Sequence, residues 1–334
     1  MKDVTRSPFL AAAPSAALVV LWSSGFVGAE LGTRQASTPT LLAWRYLVAS
    51  VVLLALCLWR RERISRAAIG RQVLLGLLCQ ATYLGLVVGG VGLGVTAGTT
   101  ALIASLQPLV VVALATMVLA ERARPAQLAG LGLGLVGVAL VVGGDLTSGS
   151  APWWTYLLPV GGMLALSTGT VLQQRWRPPE SVVASLTLQT VTATVVFWGL
   201  AAARGDTSPP TAGGFWVAVA WVVVLSSFGG YGTYLYVSRT QGATRASTWL
   251  YLTPPTTMLW AAMMFGDRVT VLGLAGLGVT AVGVALSLSR SASRGGPSRR
   301  SPRRSRTSGS RRSPTTGTAL SPRAEPCPSR GRAG

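Results

Sequence analysis

The side chains that most often perform catalysis are scarce in this sequence. It contains no histidine, and its one lysine is Lys2. Histidine-ligated metal sites, Ser-His-Asp hydrolases and Cys-His pairs are therefore excluded, as are a Walker A loop and a Schiff-base lysine. The three cysteines, Cys57, Cys79 and Cys327, are too widely spaced for a disulfide framework or a metal knuckle. We therefore expect no catalytic site, no cofactor and no bound metal.

Arg45 is the residue whose position says most about function. It lies near the start of the apolar segment 39–59. An arginine inside a bilayer costs about 2.5 to 3.5 kcal/mol unless it faces water or a partner. One hypothesis is that Arg45 binds the carboxylate or phosphate of a substrate in a central cavity. The alternatives are a contact to helix-end carbonyls or to Glu30, or a side chain that extends to the outer interface.

Other polar or amphipathic side chains also lie within apolar segments. Because such groups are costly in lipid, we expect them to face the interior of a helix bundle. Each is a candidate substrate contact, and the alternative for each is an interhelical hydrogen bond worth about 0.6 kcal/mol. They are Trp22, Ser24, Gln80, Tyr83, Gln107, Gln189, Tyr234 and Tyr251.

Two prolines and two acidic residues recur at corresponding places. Pro108 and Pro254 lie within apolar segments, where a proline removes a backbone hydrogen bond and kinks the helix. We expect the kinks to line a central path, because a freed carbonyl in lipid needs a cavity or a neighbour. Glu121 and Asp267 end two apolar segments and are candidate gate or coupling groups. The alternative is that both are helix-end charges at the membrane interfaces.

The composition shows where these residues must lie. The chain has 334 residues, of which half are hydrophobic and 11% are charged, with a mean hydropathy of +0.50. Soluble domains usually carry about 25% charged residues. Residues 290–334 hold twelve arginines and one glutamate, so much of the net charge of +20 lies in this tail. The remainder is too apolar for a soluble domain of its size. The sequence predicts an integral membrane protein with a basic tail.

The apolar segments predict ten transmembrane helices, since a span needs about 20 apolar residues. They lie at 9–29, 39–59, 72–91, 97–119, 125–143, 154–174, 181–203, 214–236, 246–265 and 270–289. With both termini in the cytoplasm, 25 basic residues lie inside and three outside, as the positive-inside rule requires. The first segment is expected to be a span and not a signal peptide, because the internal repeat needs it.

The sequence repeats itself. Shifted by 146 residues, 104–140 pairs with 250–286 with 15 identities in 37 positions, and Pro108 falls on Pro254. Earlier in each half an offset of 144 places Arg45 on Gln189. Each half then contains five spans, so the halves enter the membrane with opposite polarity. Inverted repeats of this kind are typical of secondary transporters. The alternative is a duplication with no role in transport.

Specific motifs resemble a known family. They are the runs Leu21-Trp22-Ser23-Ser24-Gly25-Phe26 and Ala43-Trp44-Arg45-Tyr46, Pro108 followed by Ala120-Glu121-Arg122, and Pro254 followed by Gly266-Asp267-Arg268. Over residues 10–289 the chain resembles EamA-type members of the drug/metabolite transporter superfamily. The resemblance implies an all-α membrane protein with two inverted five-helix repeats, 1–146 and 152–289. It also implies export of a small metabolite, amino acid or drug by alternating access. The second copy departs from the family in reading Gly-Asp instead of Gly-Glu.

The expected partners are a small-molecule substrate and the lipid bilayer of the cell membrane. The tail 290–334 has the composition of a disordered segment and contains no aromatic residue for base stacking, so no nucleic acid is expected. Its arginines could contact anionic lipid, or the tail could have no role. Glycines at small-xxx-small spacing, such as Gly130 with Gly134, permit close helix packing. That packing is expected within one chain, with a homodimer through the fifth and tenth spans as the alternative.

We therefore expect a secondary transporter and not an enzyme. A membrane-embedded enzyme would need a cluster of acid, base or nucleophilic groups, and no pair of predicted spans supplies one. The remaining alternative is a non-transporting scaffold or regulator that keeps the fold.

Overall fold

The computed structural model describes residues 8–62, 64–118, 125–148, 151–241 and 249–289. Glu121 and the whole tail 290–334 lie outside the described residues. Within the described part of the chain every regular element is a helix and none is a strand. The protein is therefore all-helical where it is described, as the sequence predicts.

The helices follow one another with short connections. The α-helices are α1 Pro8–Thr33, α2 Thr38–Trp59, α3 Arg66–Gly76, α4 Tyr83–Gly92, α5 Ala97–Ser105, α6 Gln107–Val118, α7 Pro125–Ser148, α8 Leu157–Trp176, α9 Val182–Ala203, α10 Gly213–Trp221, α11 Tyr231–Gln241, α12 Thr253–Phe265 and α13 Val271–Ser289. Two π-helical segments, π1 Leu77–Thr82 and π2 Val222–Gly230, join α3 to α4 and α10 to α11. A short 3₁₀ turn, Trp153–Tyr156, precedes α8.

Eight helical stretches of the described chain are long and apolar enough to cross a membrane. They correspond to the first eight predicted spans. The ninth predicted span begins in residues outside the described ranges, and its described helix, α12, has 13 residues. In the tenth, the apolar part of α13 is the shorter stretch Val271–Gly283. The structure thus has the helices of a multi-pass membrane protein, eight of which have full spanning length.

Helices α2 and α9 begin and end alike. A serine N-cap, Ser37 or Ser181, precedes each, and its hydroxyl accepts a backbone N–H of the first turn. Each helix is followed by a residue with positive φ, Arg61 at 53° and Gly205 at 67°. Both pairs of residues are separated by the 144-residue offset of the sequence repeat. Equivalent stretches of sequence therefore make equivalent helices.

The two equivalent helices run in opposite directions. Near the middle of each, the hydroxyls of Ser50 and Thr194 share a hydrogen bond of 2.8 Å. The start of α2 meets the residues after α9, where the Ser37 hydroxyl donates to the Asp206 carboxylate and the Thr40 hydroxyl donates to the Asp206 carbonyl at 2.6 Å. Contacts at the middle and at this end fix α2 and α9 as an antiparallel pair.

Asp206→Asn is expected to lower the melting temperature at neutral pH and to matter less in acid. Hydrogen bonds from Ser37 and Thr40 lower the pKa of Asp206 from its ordinary value of 3.8. A lowered pKa means that the charged carboxylate stabilises the fold above that value and that this stabilisation is lost as pH falls through the lowered pKa. The melting temperatures of Asp206→Asn and wild type, measured in detergent, should therefore come closer together as pH is lowered from about 7 toward about 3. A constant difference between variant and wild type would contradict the assignment.

Helices α7 and α13 pack against each other through glycine. A Cβ atom on Gly137 would lie 2.1 Å from Thr280 Oγ1 and 2.6 Å from the carbonyl oxygen of Gly276. A Cβ on Gly283 would lie 2.7 Å from the Gly130 carbonyl oxygen. Small residues permit this backbone approach. The glycine surface considered above for a homodimer is thus used within one chain.

The two prolines lie in the first turns of α6 and α12, next to interruptions within the fourth and ninth spans. The fourth span divides at Leu106, and Pro108 is the second residue of α6. Pro254 is likewise the second residue of α12. First-turn N–H groups have no intrahelical acceptor, so a proline there loses no hydrogen bond. The carbonyls of Leu106 and Leu252 accept the first bonds of the new helices, from Val110 and Thr256, both at 3.1 Å.

Candidate functional site

Arg45 is buried inside the bundle without a carboxylate partner among the described residues. Its side chain is 8% exposed, and Nη2 donates a hydrogen bond of 3.2 Å to Ser227 Oγ in π2. The guanidinium carbon lies 5.8 Å from the centre of the Tyr46 ring. Glu30, considered above as a partner, instead pairs with Arg34 at 2.7 Å. A buried cation with one neutral hydrogen-bond partner can attract an anion.

Tyr46 connects Arg45 to two of the predicted polar residues. Its hydroxyl donates to Gln80 Oε1 at 2.9 Å, and its ring stacks on Phe197 with centroids 5.7 Å apart. Tyr83 lies one turn beyond Gln80 and within electrostatic range of Arg45. We call Arg45, Tyr46, Gln80, Tyr83 and Ser227 the central cluster. The structure thus brings three of the predicted candidates together and adds two residues to them.

The two π-helical segments position the partners of this cluster. Gln80 lies in π1 and Ser227 in π2. The wider turn of a π-helix leaves carbonyls available, and the carbonyls of Gln80 and Val222 accept hydrogen bonds from Tyr46 and Ser227, at 3.3 and 3.0 Å. π-Helical turns are rare in proteins, and those that occur are often found at functional sites. The two segments lie at matching places in the third and eighth spans.

Aromatic residues lie beside the central cluster. Trp22 packs with Tyr83 around one small apolar core, and on another side its ring centre lies 5.7 Å from that of Tyr234. Ser24 is fully buried and its hydroxyl bonds to the Leu21 carbonyl of its own helix, so it contacts no open space. The rings of Trp22 and Tyr234 are therefore suited to contact the apolar part of a ligand. The Ser24 hydroxyl, which is bonded within its own helix, is not suited to contact a polar part.

Three predicted candidates lie in other surroundings. Gln107 donates a hydrogen bond of 3.3 Å to Thr170, and Tyr251 packs beside Leu106 and Met163. Gln189, the sequence counterpart of Arg45, donates to Gln72 at 2.9 Å. None of these contacts reaches Arg45. The first two are consistent with interhelical packing, and the third belongs to a separate network.

That network joins the middle of α3 to the first turns of α9 and the loop before it. Gln72 Nε2 donates to Glu180 Oε2 at 3.3 Å and to Ser185 Oγ at 3.2 Å, and Arg71 forms an ion pair of 3.0 Å with Glu180. Desolvation of Glu180 opposes its ionisation, but hydrogen bonds from its own backbone, Gln72 and Arg71 outweigh desolvation and lower its pKa. We call Arg71, Gln72, Glu180, Ser185 and Gln189 the polar network.

A cavity of about 640 Å³ lies at the opposite end of the helices. We call it the vestibule. Its lining is Glu30, Thr33, Arg34, Val91, Gly92, Gly94, Val95, Thr96, Asp145, Asp267 and Arg268. Asp267, a candidate gate residue from the sequence, lines it, as does Glu30, which was considered as a partner of Arg45.

The acids of the vestibule have different partners. Asp145 accepts hydrogen bonds from Thr96 at 3.3 Å and Tyr156 at 3.2 Å, and Glu30 pairs with Arg34. Asp267 Oδ2 is buried without a hydrogen-bond partner. Burial and the charge of Asp145 raise the pKa of Asp267, and Arg34 opposes them. No group of three described His, Cys, Asp or Glu side chains is placed to hold a metal ion.

The vestibule lies above the central cluster. Glu30 and Val91 line the cavity, and Trp22 and Tyr83 lie eight residues earlier on the same helices. At a rise of about 1.5 Å per residue, these rings lie about 12 Å deeper. Along these two helices the aromatic side of the central cluster therefore lies below the vestibule, with the buried side chains of Phe26 and Val87 between them.

Four residues of the central cluster and the polar network were not singled out from the sequence: Tyr46, Ser227, Gln72 and Glu180. Tyr46 follows Arg45 directly, and Ser227 is half of a serine pair in an apolar run. Either could have been noticed. Gln72 and Glu180 lie at span ends, where polar residues are common, so the sequence contains no signal for them.

Known proteins are similar to this chain in sequence or in fold. The model of the EamA-like transporter family matches twice, over residues 11–143 and 153–289. The uncharacterized inner membrane transporter YedA of Escherichia coli strain K12 is 24% identical over 273 residues, which cover 81% of this chain and 88% of YedA. YedA of strain O157:H7 matches with the same figures. A solved crystal structure, 21% identical, covers 84% of this chain and 96% of its own with a TM-score of 0.58, which shows a shared fold.

Proposed function

The chain belongs to the EamA-like transporter family, and from that premise we propose that it is a secondary transporter exporting a small anionic or zwitterionic metabolite by alternating access. Membership of this family and similarity to an inner membrane transporter make it a multi-pass inner membrane protein of a transporter family. The substrate class, the direction and the mechanism are our proposal.

The proposed architecture is two inverted five-helix halves, 1–146 and 152–289. The antiparallel pairing of α2 with α9 supports it, because these two helices are related by the 144-residue offset of the repeat and run in opposite directions. The packing of α7 on α13 supports it as well: Gly137 meets Gly276 while Gly130 meets Gly283, so these repeat-related helices are also antiparallel. In transporters built this way the substrate site lies near the membrane midplane between the halves.

The proposed substrate group is a carboxylate or a phosphate. The observation that carries this proposal is Arg45, buried with Ser227 as its hydrogen-bond partner and unpaired with any carboxylate of the described residues. Arginine binds both groups through two parallel hydrogen bonds. Trp22 and Tyr83 would face the apolar part of the substrate.

The proposed orientation has both termini in the cytoplasm and the vestibule outside. The count of basic residues between spans supports it. In this orientation Arg34, Asp267 and the vestibule face the periplasmic or outer side, and the polar network faces the cytoplasm.

Counterflow in proteoliposomes tests the proposed function. Vesicles loaded with one unlabelled compound are given a trace of the same labelled compound, across a panel of carboxylates, amino acids and phosphate esters. We expect accumulation of at least one labelled anion above that in protein-free vesicles. Absence of counterflow for the whole panel in correctly inserted protein would contradict transport and favour the scaffold alternative.

A further inference from the structure

The two ends of the molecule differ in how they are held together. One end contains the vestibule, and the other contains the polar network. We propose that the polar network is a latch that holds the cytoplasmic end closed, so that this conformation is open to the vestibule side alone. This inference rests on the proposed transport function and names the contacts that must break during its cycle.

Gln72 is the central residue of the latch. It is fully buried at 0% exposure. Its amide nitrogen donates to Glu180 and Ser185, and its amide oxygen accepts from Gln189. A glutamine side chain has two N–H donors, so both find acceptors here. A buried network satisfied in this way rigidifies one arrangement, and each bond lost leaves a buried group unpaired.

The latch connects the two proposed halves. Arg71 and Gln72 belong to α3 of the first half, whereas Glu180, Ser185 and Gln189 belong to α9 and its preceding loop in the second. The backbones also meet: a Cβ atom on Gly76 would lie 2.9 Å from Gln189 Cα. No path for a substrate can pass between these segments until they separate.

The residue of the second half that corresponds to Gln72 lies at the other end of the molecule and makes different contacts. The 144-residue offset that relates Arg45 to Gln189 relates Gln72 to Trp216 in α10. Trp216 contacts Trp44 of α2 edge to face, with ring centroids 5.1 Å apart. Ring contacts of this kind lack the directional bonds of the latch. At the position matching Gln72 the polar contacts are thus replaced by aromatic packing, although Ser37 and Thr40 of α2 also bond to Asp206 after α9 at that end.

The vestibule also lacks a described ion pair between halves. Arg34 pairs with Glu30 of its own half, while Asp267 of the second half keeps a buried carboxylate oxygen unpaired. The described ion pair of Arg34 thus lies within the first half and does not involve Asp267. Rocking of the halves would bring this side together as the latch opens.

Distances between spin labels test the latch without any substrate. In a background with Cys57, Cys79 and Cys327 replaced by alanine, labels at Ile69 and Val182 report on the latch end. Both side chains are exposed and lie near Gln72 and Glu180. Labels at Leu93 and Val269, also exposed, report on the vestibule end. We expect Gln72→Leu and Glu180→Gln to add a longer-distance population to the first pair and a shorter-distance population to the second.

Gln174→Leu is the matched control, because Gln174 is an exposed glutamine at the same end of α8; it should change neither distribution. If Gln72→Leu fails to give a monodisperse protein, Glu180→Gln decides the question. Unchanged distributions in the folded variants would overturn the latch. The readout is independent of counterflow, so a protein that opens but carries no tested compound contradicts the proposed function and leaves the latch standing.

Discussion

Arg45→Gln is expected to reduce counterflow of an anionic substrate by about 10- to 100-fold while membrane insertion stays normal. Hydrogen bonds to a charged group contribute about 1.5 to 3 kcal/mol, and each 1.4 kcal/mol is about tenfold in affinity. The substitution also relieves the cost of a buried cation, so the fold should not suffer. Glutamine is the residue that the repeat places at the corresponding position, Gln189.

Two control variants distinguish the loss of a specific arginine contact from the loss of any positive charge. Arg45→Lys keeps the charge but loses the planar fork that binds a carboxylate at two points, and we expect an intermediate loss. Arg204→Gln removes an exposed arginine that follows α9 and should leave transport unchanged. The measurement is initial counterflow rate against substrate concentration, with the loss appearing mainly in KM. Wild-type transport by a normally inserted Arg45→Gln protein would eliminate the substrate role.

Gly137→Ala is expected to destabilise the protein by about 1 to 3 kcal/mol, the usual cost of forcing an extra carbon into a packed interface. The added methyl would meet a backbone carbonyl and the Thr280 hydroxyl, and the carbonyl cannot move without displacing α13. The measurement is the thermal melting temperature in detergent, read from loss of the monodisperse peak after heating.

Gly132→Ala provides the matched comparison on the same helix. Nothing lies within 4 Å of a Cβ at Gly132, and alanine forms helix better than glycine by about 1 kcal/mol. We expect an equal or slightly higher melting temperature. Equal losses from both substitutions would contradict the described packing of α7 on α13. A change in oligomeric state caused by Gly132→Ala would instead support a homodimer through α7.

The membrane class and the helical fold could be predicted from the sequence, because span length and apolar composition are local properties. The family could be predicted as well, from motifs that recur in register. Arg45 could be identified because a charge in an apolar segment stands out by itself. The positions of Pro108 and Pro254 were visible, yet their effect depends on whether a helix starts there or continues, which hydropathy does not encode.

The partners within the site could not be predicted. Hydropathy shows how many helices cross the membrane but not which faces meet, so the pairing of Gln189 with Gln72 and of Arg45 with Ser227 depends on three-dimensional packing. The vestibule brings together Glu30, Asp145 and Asp267, three acids far apart in sequence that end different helices. Arg45 and Gln189 lie at equivalent positions on the antiparallel helices α2 and α9, which explains why these two residues have unlike neighbours.

The shape of the central cluster depends on the one extra residue in the π-helical segment Leu77–Thr82, because that residue sets how α4 is rotated relative to α3. A π turn holds one residue more than the α turn it replaces. Deleting a residue there would restore regular α-helix and rotate everything after it by about 100° relative to α3. Tyr83 would then point away from Arg45 while the length of the span hardly changed. Insertions and deletions at such turns are therefore a route by which a transporter of this fold could change its ligand without rebuilding its scaffold.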